Sequence, residues 1–243
     1  MALAFAYAIF SGSWLFFVTS LLILLGFTTW GAFDIRLGYF LRVFYRKKNP
    51  AAKQVALTFD DGPSVFTPPV LDLLRDFDFK ATFFCIGKEV QHFPDIANRI
   101  LSDGHTIANH TFSHTTNFGF LSTEQVIAEL ETCNNIISAT VDRRPTFFRP
   151  PFGVTNPSVA KAVQRLGLQT IGWSNRSLDT VIKDEDRILR RVLRKLQSGD
   201  IILLHDTTQR TVNVLRKILP MLKAEGYVCV SVDDLLNLQA YEA

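Results

Sequence analysis

The sequence predicts an α/β protein in which seven βα units form a parallel sheet or barrel, preceded by one membrane-spanning helix. Three observations carry that prediction. No residue from Met1 to Phe33 is charged. After Pro50, short apolar runs of β-forming residues alternate with amphipathic helical stretches. The polar residues with reactive side chains collect at the carboxyl ends of the predicted strands, which share one face in a parallel barrel. A chain of 243 residues holds one sizeable domain plus an appendage. With 47% hydrophobic and 20% charged residues it is too apolar for a disordered chain.

Trp14–Trp30 (WLFFVTSLLILLGFTTW) reaches the length of a helical membrane span. A cleaved signal peptide carries a basic region ahead of a shorter apolar stretch, and small residues at the cleavage site. Neither flank is present, so residues 1–33 read as a transmembrane anchor. Residues 34–50 read as a basic juxtamembrane segment, in which Asp34–Phe44, with arginines spaced among apolar residues, suits a membrane interface. Residues 1–48 hold five basic groups and one acidic, leaving 21 basic against 22 acidic for the remainder. That near-neutral remainder has no electrostatic footprint for nucleic acid. Cys85, Cys133 and Cys229 are odd in number and widely separated, and read as core residues, not a disulfide or zinc framework.

Residues 51–243 form the catalytic domain in this reading. Its strands fall at Gln54–Phe59, Lys80–Ile86, His105–Ala108, Thr146–Arg149, Gln169–Trp173, Asp200–Leu204 and Tyr227–Val230. Helices fill 67–76, 93–102, 122–139, 157–166, 184–197, 210–224 and 232–240. Ser122 followed by Gln125 is a helix start signal, and Gly167, Gly199 and Gly226 are stops. Ala56–Phe59 and Ile201–Leu204 are apolar on both faces, as strands between a barrel core and a helical layer must be.

At the strand ends, Asp60 and Asp61 follow the first strand, His110 and His114 the third, Arg149 the fourth, Trp173 with Asp179 the fifth, and His205 with Asp206 the sixth. His110 and His114 are spaced to meet on one helical or turn face, and Asp61 completes a two-histidine, one-carboxylate set with open positions. Such a set suits Zn²⁺ or another divalent ion in hydrolysis. On an extended segment Asp60 and Asp61 point opposite ways, so one binds metal while its neighbour faces the water as a base. His205 is the acid partner in this reading, and Arg149 pairs with a buried carboxylate. His92 reads as a surface residue and His105 as a satisfied structural histidine.

The ordered motifs TFDDG (58–62), HTFSH (110–114), RPPFG (149–153), WSNRSLDT (173–180) and LLH (203–205) resemble the polysaccharide deacetylases of carbohydrate esterase family 4, which carry a NodB-homology domain. The resemblance covers about residues 54–236. It implies a distorted (β/α)7 barrel that removes N-acetyl groups from glycans such as peptidoglycan, chitin oligomers or exopolysaccharide. It implies Asp60 as general base, Asp61, His110 and His114 as metal ligands, and His205 as general acid. Arg149 would orient the base, the Phe152 N–H would stabilise the oxyanion, Leu203 and Trp173 would wall the acetyl pocket, and Asp179 would hold His205.

The chain departs from the family pattern in the fourth motif, where Arg176 and Thr180 replace a carboxylate and an aromatic residue. Arg176 is then expected either near Arg149 or turned toward an anionic group of the substrate. The expected cofactor is zinc, with Co²⁺, Ni²⁺ or Mn²⁺ as alternatives. The expected protein is a monomeric, single-pass membrane enzyme acting on a glycan, with its domain outside the cytoplasm, although the basic flank after the span points inward. The alternatives are an O-acetyl esterase, a deacylase of a lipid-linked sugar, and an inactive glycan-binding protein. The complete set of base, ligands and acid argues against the last.

Overall fold

The computed structural model describes Leu3, Ala6 and Trp14–Glu242; the rest of residues 1–13 and Ala243 lie outside the described residues. Trp14–Phe33 is a helix long and apolar enough to cross a membrane by length and composition. Of its polar side chains, Thr19, Ser20 and Thr28 return their hydroxyls to carbonyls one turn back, which suits an apolar surrounding.

The helix runs directly into the domain. Gly31 is buried beneath Tyr39, where a Cβ would lie 2.5 Å from the ring, and the Thr155 N–H donates to the Ala32 carbonyl at 3.0 Å. Asp34 accepts from the Arg36 N–H and binds its guanidinium, capping the 3₁₀ turn Ile35–Leu37, and Ile35 is buried. β1 (Val43–Phe44) then pairs in parallel with Thr170 and Ile171. Arg46 binds Asp200 at 2.7 Å. The stretch expected along a membrane interface therefore builds the edge of the domain, because an open sheet edge offers unpaired backbone groups that this segment satisfies. Deleting residues 1–50 should lower the unfolding temperature relative to a chain beginning at Asp34. Burying Ile35 alone is worth about 1.5–3 kcal/mol, and each kcal/mol moves the midpoint by about 2–4 °C in a domain of this size. Calorimetry on the two fragments checks it.

Eight further strands follow: β2 (Gln54–Asp60), β3 (Ala81–Cys85), β4 (Thr106–Asn109), β5 (Phe147–Phe148), β6 (Gln169–Ile171), β7 (Asn175–Arg176), β8 (Ile201–His205) and β9 (Val228–Cys229). All pairings between these strands are parallel, in the order β1-β6-β5-β4-β3-β2-β8-β7, with β9 beside the start of β2. The ring closes through a single stretch. Gln169 and Thr170 pair with β5, the chain kinks at Gly172–Ser174, and Asn175 and Arg176 pair with β8. This is the distorted barrel of βα units, and the kink is the distortion.

β2, β3 and β8 are almost wholly buried on both faces. Phe59 and Phe83 stack at 4.9 Å in the core beneath the outer helices. Helices lie at Thr67–Asp76, Pro94–Ser102, Thr123–Val141, Pro157–Arg165, Glu185–Leu193, Gln209–Ala224 and Val232–Leu236. The capping box of Ser122 and Gln125 is formed, and Gly167, Gly199 and Gly226 have positive φ. A separate helix, Gly87–His92, precedes the one that starts at Pro94, and His92 is exposed at its end, as the sequence predicts. The three cysteines are free and buried.

Candidate active site

The carboxyl ends of the strands bring the predicted residues together. A pocket of about 200 Å³ is lined by Asp60, Asp61, His110, His114, Phe152, Trp173, Arg176, Leu203 and His205, with Pro150, Gly153 and Thr180. Arg149 and Asp179 stand behind the wall, each fully buried against one of these residues.

Asp60 ends β2. Asp61 does not continue the extended segment: its φ of 72° turns the backbone into the left-handed region. The two carboxylates therefore converge on one pocket, where extended geometry would have set them on opposite faces. His110 and His114 lie on a loop after β4, not a helix, and Thr111 and His114 both have positive φ. Asn109 and Glu129 brace the loop, the first accepting from the Thr111 N–H and the second from the Ser113 N–H and hydroxyl, all at 2.8 Å.

The imidazoles meet around Asp61. Its Oδ1 lies 3.3 Å from His110 Nε2 and 3.4 Å from His114 Nε2, and is buried with no hydrogen-bond partner of acceptable geometry. His110 Nδ1–H donates to the Arg149 carbonyl at 2.8 Å, which commits the Nε2 lone pair toward Asp61. Burial opposes a charge on His110, but the Asp60 and Asp61 carboxylates outweigh it and raise its pKa. Burial also opposes ionisation of Asp61, yet its contacts with His110 and the charges of His205 and His114 hold the carboxyl well below its ordinary range. His114 is pushed toward the neutral form by burial and by His110. Three ligand atoms that all lie within 4.8 Å of one another fit a cation held between them.

Arg149 reaches Asp60 from the barrel interior. Its Nη1 donates to Asp60 Oδ1 at 2.6 Å and to Thr58 Oγ1 at 2.9 Å, while Nε and Nη2 bind the Ile171 and Gly172 carbonyls. Its guanidinium lies 3.9 Å from the centre of the Phe84 ring. One Asp60 oxygen is thus occupied and the other, Oδ2, sits 3.9 Å from His110 Nε2.

Across the pocket, His205 Nδ1 shares a 2.8 Å hydrogen bond with Asp179 Oδ1, and its Nε2 lies 3.9 Å from Asp61 Oδ2. Burial lowers the basicity of His205, but the Asp179 bond and charge, with Asp60 and Asp61, raise its pKa to about 9. Asp179 is held in turn by Ser177, by Thr211 and by the His205 N–H. Replacing Asp179 by Asn should move the alkaline limb of the pH–rate profile to lower pH. The hydrogen bond and charge of Asp179 are the largest of the contributions that raise the His205 pKa, so their loss lets the proton leave at lower pH, and an initial-rate titration from pH 6 to 10 reads the shift.

Phe152 projects at the rim, half exposed, with φ 60° and its ring 5.0 Å from His114. Gly153 follows at φ 73°, where a Cβ would sit 2.5 Å from the Trp173 ring. Leu203 is buried beneath the pocket. Arg176 ends β7. It is exposed, with its guanidinium 5.5 Å from the Trp173 ring, to which Arg149 also approaches, at 5.7 Å. The aromatic ring lies within reach of both cations and offers each a favourable face.

Sequence reasoning missed Thr58, Ser177, Thr211 and Glu129. Thr58 was accessible, since it shares a strand face with Asp60 two residues on. His105 is buried as expected but only half satisfied: Nδ1 accepts from the Ala81 N–H at 3.3 Å and Nε2 has no partner, and burial lowers its pKa to about 4, which keeps it neutral. Buried Asp206 is braced by the Thr67 hydroxyl and pushed up to about 7 by burial.

The polysaccharide deacetylase family model matches residues 47–171. A peptidoglycan-N-acetylglucosamine deacetylase of Bacillus cereus is 40% identical over 191 residues, covering 76% of this chain and 89% of that protein. The solved structure of the Bc1960 peptidoglycan N-acetylglucosamine deacetylase superposes with a TM-score of 0.77 at 31% identity, over 82% of this chain and 95% of that one. A CE4 family pseudoenzyme from Bacillus anthracis superposes with a TM-score of 0.74 at 30% identity, over 80% of this chain and 68% of that one. The fold is therefore shared by active and inactive proteins, and side chains carry the distinction.

Proposed function

The chain belongs to the polysaccharide deacetylase family, and from that membership and its site we propose an enzyme that hydrolyses the N-acetyl group of an amino sugar in peptidoglycan. The observation that supports activity most strongly is the convergence of Asp61, His110 and His114 on one point, with Asp60 and His205 beside it. Zinc suits a two-histidine, one-carboxylate set with open positions. Asp61, His110 and His114 would hold a divalent cation, which when bound would supply Lewis acidity to the reaction.

The remaining steps belong to the chain's own residues. Arg149 occupies Asp60 Oδ1, which leaves Oδ2 to take a proton from water as the C–O bond to the acetyl carbon forms. The Phe152 N–H at the rim is the donor assigned to the developing oxyanion. His205 holds its Nδ1–H against Asp179, so Nε2 gives its proton to the amine as the C–N bond breaks, releasing acetate and a free amino sugar. Trp173 and Leu203 wall the acetyl methyl.

We place the enzyme on the membrane by the helix Trp14–Phe33, with the domain on the outer side where peptidoglycan lies. Arg36, Arg42 and Arg46, which form most of the basic flank, are engaged by Asp34, the Phe44 ring and Asp200. They serve the fold, which weakens them as a signal of inward orientation. Acetate release by the full chain from peptidoglycan and from chitooligosaccharide tests the function. The expected result is release from both with peptidoglycan preferred; release from neither by a folded, zinc-loaded protein overturns it.

A further inference from the structure

A second cavity, of about 490 Å³, adjoins the catalytic pocket, and Trp173 and Arg176 line both. Its walls come from the last turn of the apolar helix, the turn that follows it, β7, and the end of the helix Glu185–Leu193. Five cations face it, Arg36, Arg176, Arg191, Arg194 and Lys195, against the single carboxylate of Asp34. Asp34 is bound to Arg36. Arg191 Nε donates to the Arg176 carbonyl. Among the described residues, Arg176, Arg191, Arg194 and Lys195 have no carboxylate partner.

Four like charges around one concave space repel one another unless an anion enters it. Arginine forks match the oxygens of a phosphoryl group, and lysine adds a point charge. The level of the cavity indicates the source of that anion. Trp30 and Phe33 of the membrane-span candidate line it, so a bilayer crossed by this helix ends beside the cavity, at the depth where Trp side chains settle and lipid headgroups lie. Basic residues next to a membrane helix bind anionic lipid through such headgroups.

We propose that this cavity is a binding site for the phosphoryl headgroup of an anionic membrane lipid, which seats the mouth of the barrel against the bilayer surface. The site goes beyond the deacetylase reading: it shares the wall formed by Trp173 and Arg176 but uses none of Asp60, Asp61, His110, His114 and His205. The test is a fluorescence titration of the full chain in neutral detergent, since Trp30 and Trp173 line the cavity. Dihexanoyl phosphatidic acid is the probe, with dihexanoyl phosphatidylcholine and inorganic phosphate as separate arms. The expected result is a saturable change with phosphatidic acid, weakened at least tenfold in the double variant Arg194→Ala, Lys195→Ala. The charge-matched double variant Arg143→Ala, Lys161→Ala, at exposed positions elsewhere, should bind as wild type.

Equal weakening in both double variants, or an equal response to phosphatidylcholine, overturns the site. Binding of inorganic phosphate as tight as that of phosphatidic acid overturns the lipid as its source. Both altered positions are solvent exposed, and circular dichroism verifies that the variants fold. The readout requires no turnover, so a chain that releases no acetate still tests this site.

Discussion

Asp60→Asn is expected to slow acetate release by about 10²–10⁴-fold, the usual contribution of a positioned general base, while one equivalent of zinc remains bound. Asn keeps a carbonyl oxygen for the Arg149 Nη1 contact but cannot accept a proton from water. The metal group of Asp61, His110 and His114 is untouched by the change. Arg149 is fully buried and loses its carboxylate partner, so the variant should also unfold at lower temperature. Removing one member of a buried ion pair costs about 3–5 kcal/mol. Stopped acetate assays with metal analysis read the first effect and a thermal melt reads the second. Wild-type turnover in this variant would remove Asp60 from the mechanism.

His110→Ala is expected to lose zinc and activity together. His110 is almost fully buried, its Nδ1 is tied to the Arg149 carbonyl, and its Nε2 is the ligand atom set nearest to Asp61. Loss of even an outer partner of a metal ligand costs about 10–100-fold in affinity, so loss of the ligand itself should exceed that. Equilibrium dialysis at micromolar zinc should find well under one equivalent bound, and acetate release should fall to background. Retention of a full equivalent would assign the cation to other residues.

Much of this site was legible because its chemistry demands particular residue types at strand ends. Asp60, Asp61, His110, His114, Arg149 and His205 announced themselves by position. Their geometry was not legible. The convergence of Asp60 and Asp61 depends on a left-handed backbone at Asp61, which an Asp-Gly turn permits but does not dictate. Ser177 and Thr211 support Asp179 from β7's end and from a helix beyond β8, and hydroxyls of that kind carry no local signature. β1 and β7 are two residues each and stand among arginines and other polar residues, without the apolar run that marked the equally short β9. The fate of Arg176 turned on Trp173, a contact that alternation along the chain does not encode.

A zinc titration of the full chain after EDTA treatment, followed by acetate release from peptidoglycan, tests whether hydrolysis runs through a cation held by Asp61, His110 and His114. Activity should be absent in the stripped protein, rise linearly with added zinc and reach its plateau at one equivalent. Undiminished acetate release from the metal-free protein would rule out a metal-dependent mechanism at this site.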